Sequence, residues 1–310
     1  MTLLVCERLG LNPIPFLIAE ALASNIGGTA TLVGDPPNII IASRADLTFN
    51  DFLVRLAPIV VVILAAFLLL ARLLFRRSLH GDPARAASLM SLDEREAITD
   101  GKLLVRSGVV LGAIPLGFLL QRQTGVSPSV VALVGAGVMI LLAPVKPRDL
   151  LVDVEWESLL FFIGLFILVG ALVHVGALEL LAEQIANVTN GAVAPTLMVM
   201  VMRVGSAVVS AVVDNIPYVT AMTPVVESLI ALNPALGTDG GLWWALALGA
   251  DLALGADLGG NATLIGVSAN VVIAARNGPH TSFGQWLKDG IPTAALSIAI
   301  SVPYVLLRYA

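Results

Sequence analysis

Two stretches of this chain interrupt apolar sequence in the same way. Residues 23–42 read ASNIGGTATLVGDPPNIIIA and residues 255–274 read GADLGGNATLIGVSANVVIA. With Gly27 and Gly28 placed on Gly259 and Gly260, an offset of 232, Ala30, Thr31, Leu32, Gly34, Asn38, Ile41 and Ala42 fall on Ala262, Thr263, Leu264, Gly266, Asn270, Ile273 and Ala274. Chance does not produce that match. Each copy sets glycines, small polar residues and, in the first, Pro36 and Pro37 inside sequence that otherwise reads as membrane helix. Such helices must break there. Paired interruptions at corresponding places in two halves of a membrane chain point to the binding site of a secondary transporter.

That the chain is membrane-embedded follows from its composition. Hydrophobic residues make up 57%, charged residues 13%, and the mean hydropathy is +0.93, whereas soluble domains are about 45–50% apolar. This implies an all-α, multi-pass protein of the cell (plasma or inner) membrane, with the lipid bilayer as its main partner. The net charge of −5 is spread thinly, and no basic run suggests nucleic acid. Cys6, the single cysteine, excludes an internal disulfide or a multi-thiol metal site. Glu7, Arg8, Asn12 and Pro13 stand where the apolar run of a cleavable signal peptide would lie.

Along the chain, the pattern predicts three parts. Residues 1–77 hold the first broken helix and one span, the apolar run from Pro58 to Ala71, which ends in Arg72, Arg76 and Arg77 on the cytoplasmic side. Residues 78–101, with Asp82, Arg85, Asp93, Glu94, Arg95 and Glu96, form a polar cytoplasmic linker. Residues 102–310 hold three spans (Leu103 to Leu120, Val126 to Val145, Ser158 to Leu178), then a re-entrant hairpin, the second broken helix from Leu242 to Ala275, and a final span from Ile291 to Leu307. Lys146, Arg148, Asp149, Asp153, Glu155 and Glu157 lie in the loop between the second and third of those spans. The hairpin is read from SAVVDNIPYVTAMTP, whose Asp214, Asn215, Pro217 and Pro224 sit too deep for an ordinary loop, with the tip at Asp214 to Pro217.

An unwound turn inside a membrane frees backbone groups that must face protein, water or a ligand. Half-helix N-termini attract anions, while freed carbonyls and short polar side chains can hold a cation. The candidate substrate- or ion-binding residues are therefore Asn25, Gly27, Gly28, Thr29, Thr31, Asp35 and Asn38 in the first copy. Gly259, Gly260, Asn261, Thr263, Ser268 and Asn270 are those of the second, with Asp214, Asn215 and Pro217 at the hairpin. No dedicated metal site and no cofactor is expected; the coupling ion would be Na+ or H+ at these same residues. Close helix packing alone would not require Asn38 and Asn270. Asp35, Asp214, Asp251 and Asp257 are carboxylates at membrane depth, each costing about 2.5–3.5 kcal/mol at a helix centre unless it faces a cavity or partner. Proton or cation coupling is the functional reading of these four; Asp214 and Asp35 could instead cap the half-helices that follow them. Arg203 could pair with Asp214, hold an anion, or mark a helix end at the interface. His174 reads as structural, Glu179 and Glu183 as wetted, and Trp243 and Trp244 as an interfacial belt.

The segments SNIGGTATLVGDPPN, VEWESLLFFIGLFILVGAL, DNIPYVTAMTPVV and GGNATLIGVSANVV resemble the ion transporter superfamily, in the branch grouping arsenical-pump membrane subunits, the melanocyte P protein and citrate or sodium/proton transporter-like permeases. The resemblance implies two inverted repeats, each with a hairpin and a broken helix, moving as an elevator. It implies secondary transport, not enzymatic chemistry, of a small anion or inorganic ion (citrate or dicarboxylate, arsenite, or the Na+/H+ class), a homodimer and, if arsenical-pump-like, a cytoplasmic ATPase subunit. Two departures stand out. The offset of 232 puts the counterpart of the hairpin Asp214 before Met1, so the first repeat is expected to be incomplete and the chain to be a half-transporter unless the start lies upstream. ALGADL occurs twice in tandem, at Ala247 to Leu252 and Ala253 to Leu258, which would add about 9 Å and turn a helix by about 240°; Asp257 in the second copy stands where relatives tend to be uncharged. An intramembrane aspartyl protease is the remote enzymatic alternative, but no tyrosine precedes any aspartate here.

Overall fold

The computed structural model describes residues 2–76, 78, 100–142, 152, 154–188, 195–232, 252–276 and 281–309. Most of the polar linker, the loop around Lys146, Arg148, Asp149 and Asp153, Trp243, Trp244, Asp251 and nearly all of the first ALGADL copy lie outside these residues. Among the described residues every regular element is a helix. The first part contributes α1 (Thr2–Leu9), α2 (Ile14–Gly28), α3 (Pro36–Ala45), α4 (Phe49–Arg55) and α5 (Ala57–Leu74). The second contributes α6 (Gly101–Leu119), α7 (Gln121–Thr124), α8 (Pro128–Leu142), α9 (Trp156–His174), α10 (Ala177–Val188), α11 (Pro195–Ser210), α12 (Asn215–Leu232), α13 (Ala253–Gly260), α14 (Ser268–Arg276) and α15 (Phe283–Tyr309).

Helix starts follow local chemistry. Pro15 in α2 and Pro36 and Pro37 in α3 occupy first turns, where a missing N–H costs nothing. The Asp100 side chain accepts from the Lys102 and Leu103 amides to open α6. Stops use positive-φ glycines: Gly125 follows α7 and Gly176 follows α9, so the apolar run expected to reach Leu178 ends at His174. The final helix starts earlier than its apolar content implies, at Phe283, and carries Thr293, Ser297 and Ser301 as a buried stripe.

By length and composition, α5, α6 and α9 can cross a membrane. The apolar helix α2 has 15 residues and reaches only about 22 Å, short of a hydrocarbon core of about 30 Å; α8 is described over 15 residues, up to Leu142. For α2 this is the expected half-helix. Its continuation is α3, after the break at residues 29–35, and α13 continues in the same way into α14 after 261–267.

At the centre lies α13, with all eight of its residues buried. A helix covered on every side reads as apolar all round, which explains Leu254, Ala256 and Leu258. It packs against α11, α15, α12 and α2. The hairpin takes the expected form, α11 and α12 joined at residues 211–214; Pro217 is not at the tip but in the first turn of α12. Toward the outside, α6 and α8 cross closely, Gly117 against Val131 and Gly135 against Ile114, beside an apolar cavity of about 340 Å³ lined largely by valines. A small polar contact docks α4 there. Thr48 and Asp51 form a capping box, Asp51 pairs with Arg122 at 2.7 Å, and Asn50 Nδ2 donates to Leu119 O at 2.8 Å.

Candidate functional site

Each break is closed by its own asparagine. Asn38 Nδ2 donates to Thr31 O at 2.9 Å and Gly28 O at 3.3 Å; Asn270 Nδ2 donates to Thr263 O at 3.1 Å and Gly260 O at 3.4 Å. These are the same three positions at the offset of 232. Carbonyls at the end of each first half-helix and in the turn after it are thereby tied to the half-helix that follows. Glycine is required where the two meet. A Cβ on Gly28 would lie 2.8 Å from Gly34 O, and one on Gly260 2.7 Å from Gly266 O. Through Nδ2, Asn38 and Asn270 hold the breaks together; Asn270 Oδ1 accepts from Asn25, and Asn38 Oδ1 has no partner among the described residues.

The hairpin is stitched to the second break. Asp214 Oδ1 accepts from the Ile216 amide at 3.1 Å, the capping role, and Oδ2 accepts from Ser268 Oγ. The Asn215 amide donates to Gly266 O at 3.2 Å, Thr263 Oγ1 to Ala211 O, and Ser210 Oγ to Ala256 O at 2.7 Å. Asp35 behaves differently: it stands at the start of α3, but its side chain makes no capping bond. It accepts from Asn215 Nδ2 at 3.3 Å across the site.

Two amide groups tie the halves together. Asn25 Nδ2 donates to Asn261 Oδ1 at 2.8 Å and to Asn270 Oδ1 at 3.0 Å. Asn215 Nδ2 reaches two carboxylates, Asp257 Oδ1 at 3.0 Å and Asp35 Oδ2 at 3.3 Å. Asp257, Asn215, Asn38 and Asn261 are all 0% exposed. Among the described residues Asp257 Oδ2, Asn215 Oδ1, Asn38 Oδ1 and Asn261 Nδ2 have no hydrogen-bond partner. Four orphans in one buried cluster are unusual, since each costs about 1–3 kcal/mol.

Beside this cluster is a polar cavity of about 260 Å³, lined among others by Asn25, Asp35, Pro36, Asn215, Ser268 and Ala269. Three helix N-termini converge on it, those of α3, α12 and α14. Prolines at the start of α3 lack N–H groups, so α12 and α14 supply the amide-rich ends.

Of the candidate residues, Asn25, Asp35, Asn215 and Ser268 line the cavity. Gly28, Thr29, Asn38, Asp214, Gly260, Asn261, Thr263 and Asn270 lie behind it in the two breaks and at the hairpin turn. The Thr29 hydroxyl donates to Asn25 O at 3.0 Å. Thr31 contributes its carbonyl. Gly259 abuts the backbone of Ala207, and a Cβ on Gly27 would meet nothing within 4 Å. Arg203 is buried, 1% exposed, and donates Nη1 to Ser301 Oγ at 3.0 Å; it lies within α11 rather than at an interfacial helix end. His174, Glu179 and Glu183 are exposed. Asp257, a membrane-depth carboxylate standing where relatives tend to be uncharged, is a member of the central cluster; the signal is its register opposite Asn25.

These elements define a class, a polytopic all-α membrane protein whose repeated broken helices and hairpin enclose a polar centre. The chain belongs to the citrate transporter (CitMHS) family, which it matches over residues 1–249. It is 48% identical over 313 residues to a 46 kDa membrane protein of Mycobacterium leprae, covering all of this chain and 71% of that one. An uncharacterized transporter of Synechocystis is 32% identical over 324 residues, 97% of this chain and 70% of its own length. The human P protein is 30% identical over 391 residues, covering all of this chain and 46% of its own. The family and these relatives agree with the resemblance to the ion transporter superfamily.

Proposed function

We propose that the chain forms the substrate and coupling-ion site of a secondary transporter for a small anion or inorganic ion, of the citrate or dicarboxylate, arsenite or Na+/H+ class. Transport is driven by a sodium or proton gradient with elevator-type alternating access. The observation that supports this is the convergence of three helix N-termini on one small polar cavity whose wall includes both breaks and the hairpin. Its volume of about 260 Å³ suits a small ion, since drug-sized ligands occupy pockets of about 300 Å³ or more.

The charges give the coupling a physical reason. Helix N-termini attract an anion, but Asp35 stands in the cavity wall, with Asp257 and Asp214 immediately behind it. In a low-dielectric site an anion enters beside those carboxylates only if positive charge enters too. A proton or a sodium ion supplies it. Membership of a transporter family supports a non-enzymatic role, and the Asn215 amide standing between Asp35 and Asp257 keeps the two carboxylates from the direct contact that an aspartyl protease requires.

The test is uptake of labelled citrate, and in parallel arsenite, by proteoliposomes under an imposed proton or sodium gradient. Accumulation that collapses when the gradient is dissipated is expected. Folded protein that accumulates neither under either gradient would sink the reading and favour a half-transporter without independent activity.

A further inference from the structure

The register of the repeat pairs the cluster residues that lie on the two broken helices. At the offset of 232, Asn25 falls on Asp257, Thr29 on Asn261 and Asn38 on Asn270. In one half of the pattern, Asn25 Nδ2 donates to Asn261 Oδ1 and Asn270 Oδ1. The symmetry-related half requires residue 257 to donate to Thr29 and to Asn38 Oδ1. A carboxylate, however, has no hydrogen to give. The two atoms that the pattern would pair, Asp257 Oδ2 and Asn38 Oδ1, are both buried and without a hydrogen-bond partner among the described residues. One proton on Asp257 Oδ2 satisfies both.

We propose that Asp257 is the exchangeable-proton site of this protein: protonated, it donates from Oδ2 to Asn38 Oδ1 and restores the bond that Asn25 makes in the other half; deprotonated, it breaks that bond. The remaining oxygen, Oδ1, accepts from Asn215 Nδ2, whose second hydrogen goes to Asp35 at the cavity wall. Asp35 and the Asn215 amide thus link the buried proton to the cavity, and a change at Asp257 acts on both the hairpin turn and the first break. That this proton drives transport rests on the function proposed above; that Asp257 carries it does not.

On the packed elements, Arg203 turns to Ser301, Tyr218 donates to Ser206, Glu20 accepts from Thr2 and Lys288 lies by Asp289. Asp214 is held by Ser268 and the Ile216 amide, and Asp35 stands across the Asn215 amide from Asp257. Two carboxylates sharing one amide repel each other when both are ionised, and a single proton relieves that repulsion.

Infrared spectroscopy of the purified protein tests this independently of any substrate. The wild-type minus Asp257→Asn difference should contain the C=O band of a protonated carboxylic acid, lost reversibly as pH rises. Carboxylate bands at every pH, or a band that responds to sodium and not to pH, would overturn the proposal. A stability comparison provides a second arm. Asp257→Asn carries its own donor and should melt at or above the wild-type temperature, with Asp257→Ala clearly below; equal melting of the two variants removes the bond to Asn38. If the band is present but wild-type liposomes accumulate neither citrate nor arsenite, the transport reading fails and the proton assignment stands. Where uptake is measurable, Asp257→Asn should lose its dependence on the proton gradient.

Discussion

The first break, residues 29–35, and the second, 261–267, share a backbone and differ in what surrounds it. Both are closed by an asparagine reaching the same two carbonyls, and both depend on a glycine pair in close contact. Around the second, the hairpin packs against Gly259 and bonds to Gly266, Thr263 and Ser268. Beside the first, a Cβ on Gly27 would meet nothing within 4 Å. The polar partners differ as well: Asn25 of the first half is satisfied by two side-chain oxygens, whereas Asp257 of the second leaves an oxygen unmatched. Backbone geometry can therefore be kept by a few small residues while the chemistry carried on it diverges.

The largest effect should come from the glycines. Gly259→Ala drives a Cβ into the Ala207 backbone and should cost about 3 kcal/mol. Gly27→Ala has open space and should be neutral or gain up to about 1 kcal/mol of helix propensity. Thermal unfolding in detergent decides this, and equal losses would break the comparison. Next is Asn25. Its replacement by Leu strands Asn261 and Asn270 Oδ1 and should cost about 2 kcal/mol. Asn25→Asp sharpens the contrast by making the first half resemble the second, with stability that improves as pH falls because only the protonated acid can donate; a pH-independent melting temperature would contradict that. Ser268→Ala removes one bond between hairpin and break and should cost about 1 kcal/mol, read as faster hydrogen exchange at the amides of residues 214, 215, 216 and 218.

The smallest effect lies away from both breaks, at the α4 contact. Burial alone would push the Asp51 carboxyl up, but the bonds from Thr48 and the Arg122 guanidinium outweigh it and hold it below the usual carboxylate value. Its contribution is therefore complete above about pH 4, the unfolded value, and is lost as pH falls through the lower folded value. Asp51→Asn should cost about 1 kcal/mol or less near neutral pH, and its deficit against wild type should shrink in acid. A deficit that stays constant with pH would rule out the ionised cap.

Much of this was legible in the chain. The repeat located both breaks, and the depth of Asp214 to Pro217 in an apolar region located the hairpin, since prolines and short polar residues mark where a helix cannot continue. Asn38 and Asn270, expected to bind substrate or ion, also close the two breaks through their Nδ2 groups. A residue that recurs at a break can serve the backbone itself, and spacing does not distinguish that from facing a ligand. Arg203, taken as an interfacial or site residue, bonds instead to Ser301, 98 positions later.

By itself the sequence determined that the chain is a membrane protein, that it repeats, and where its helices break. These follow from side-chain transfer free energy and backbone conformational freedom, which are local properties. Only the tertiary structure decided which polar groups meet. Asn25 lies 236 and 245 positions from its partners, and Asn215 lies 180 from Asp35. Nothing in the intervening residues encodes those distances; they arise because fully buried α13 carries Asp257 between α2, α11, α12 and α15, and because polar atoms at that depth can turn only to one another.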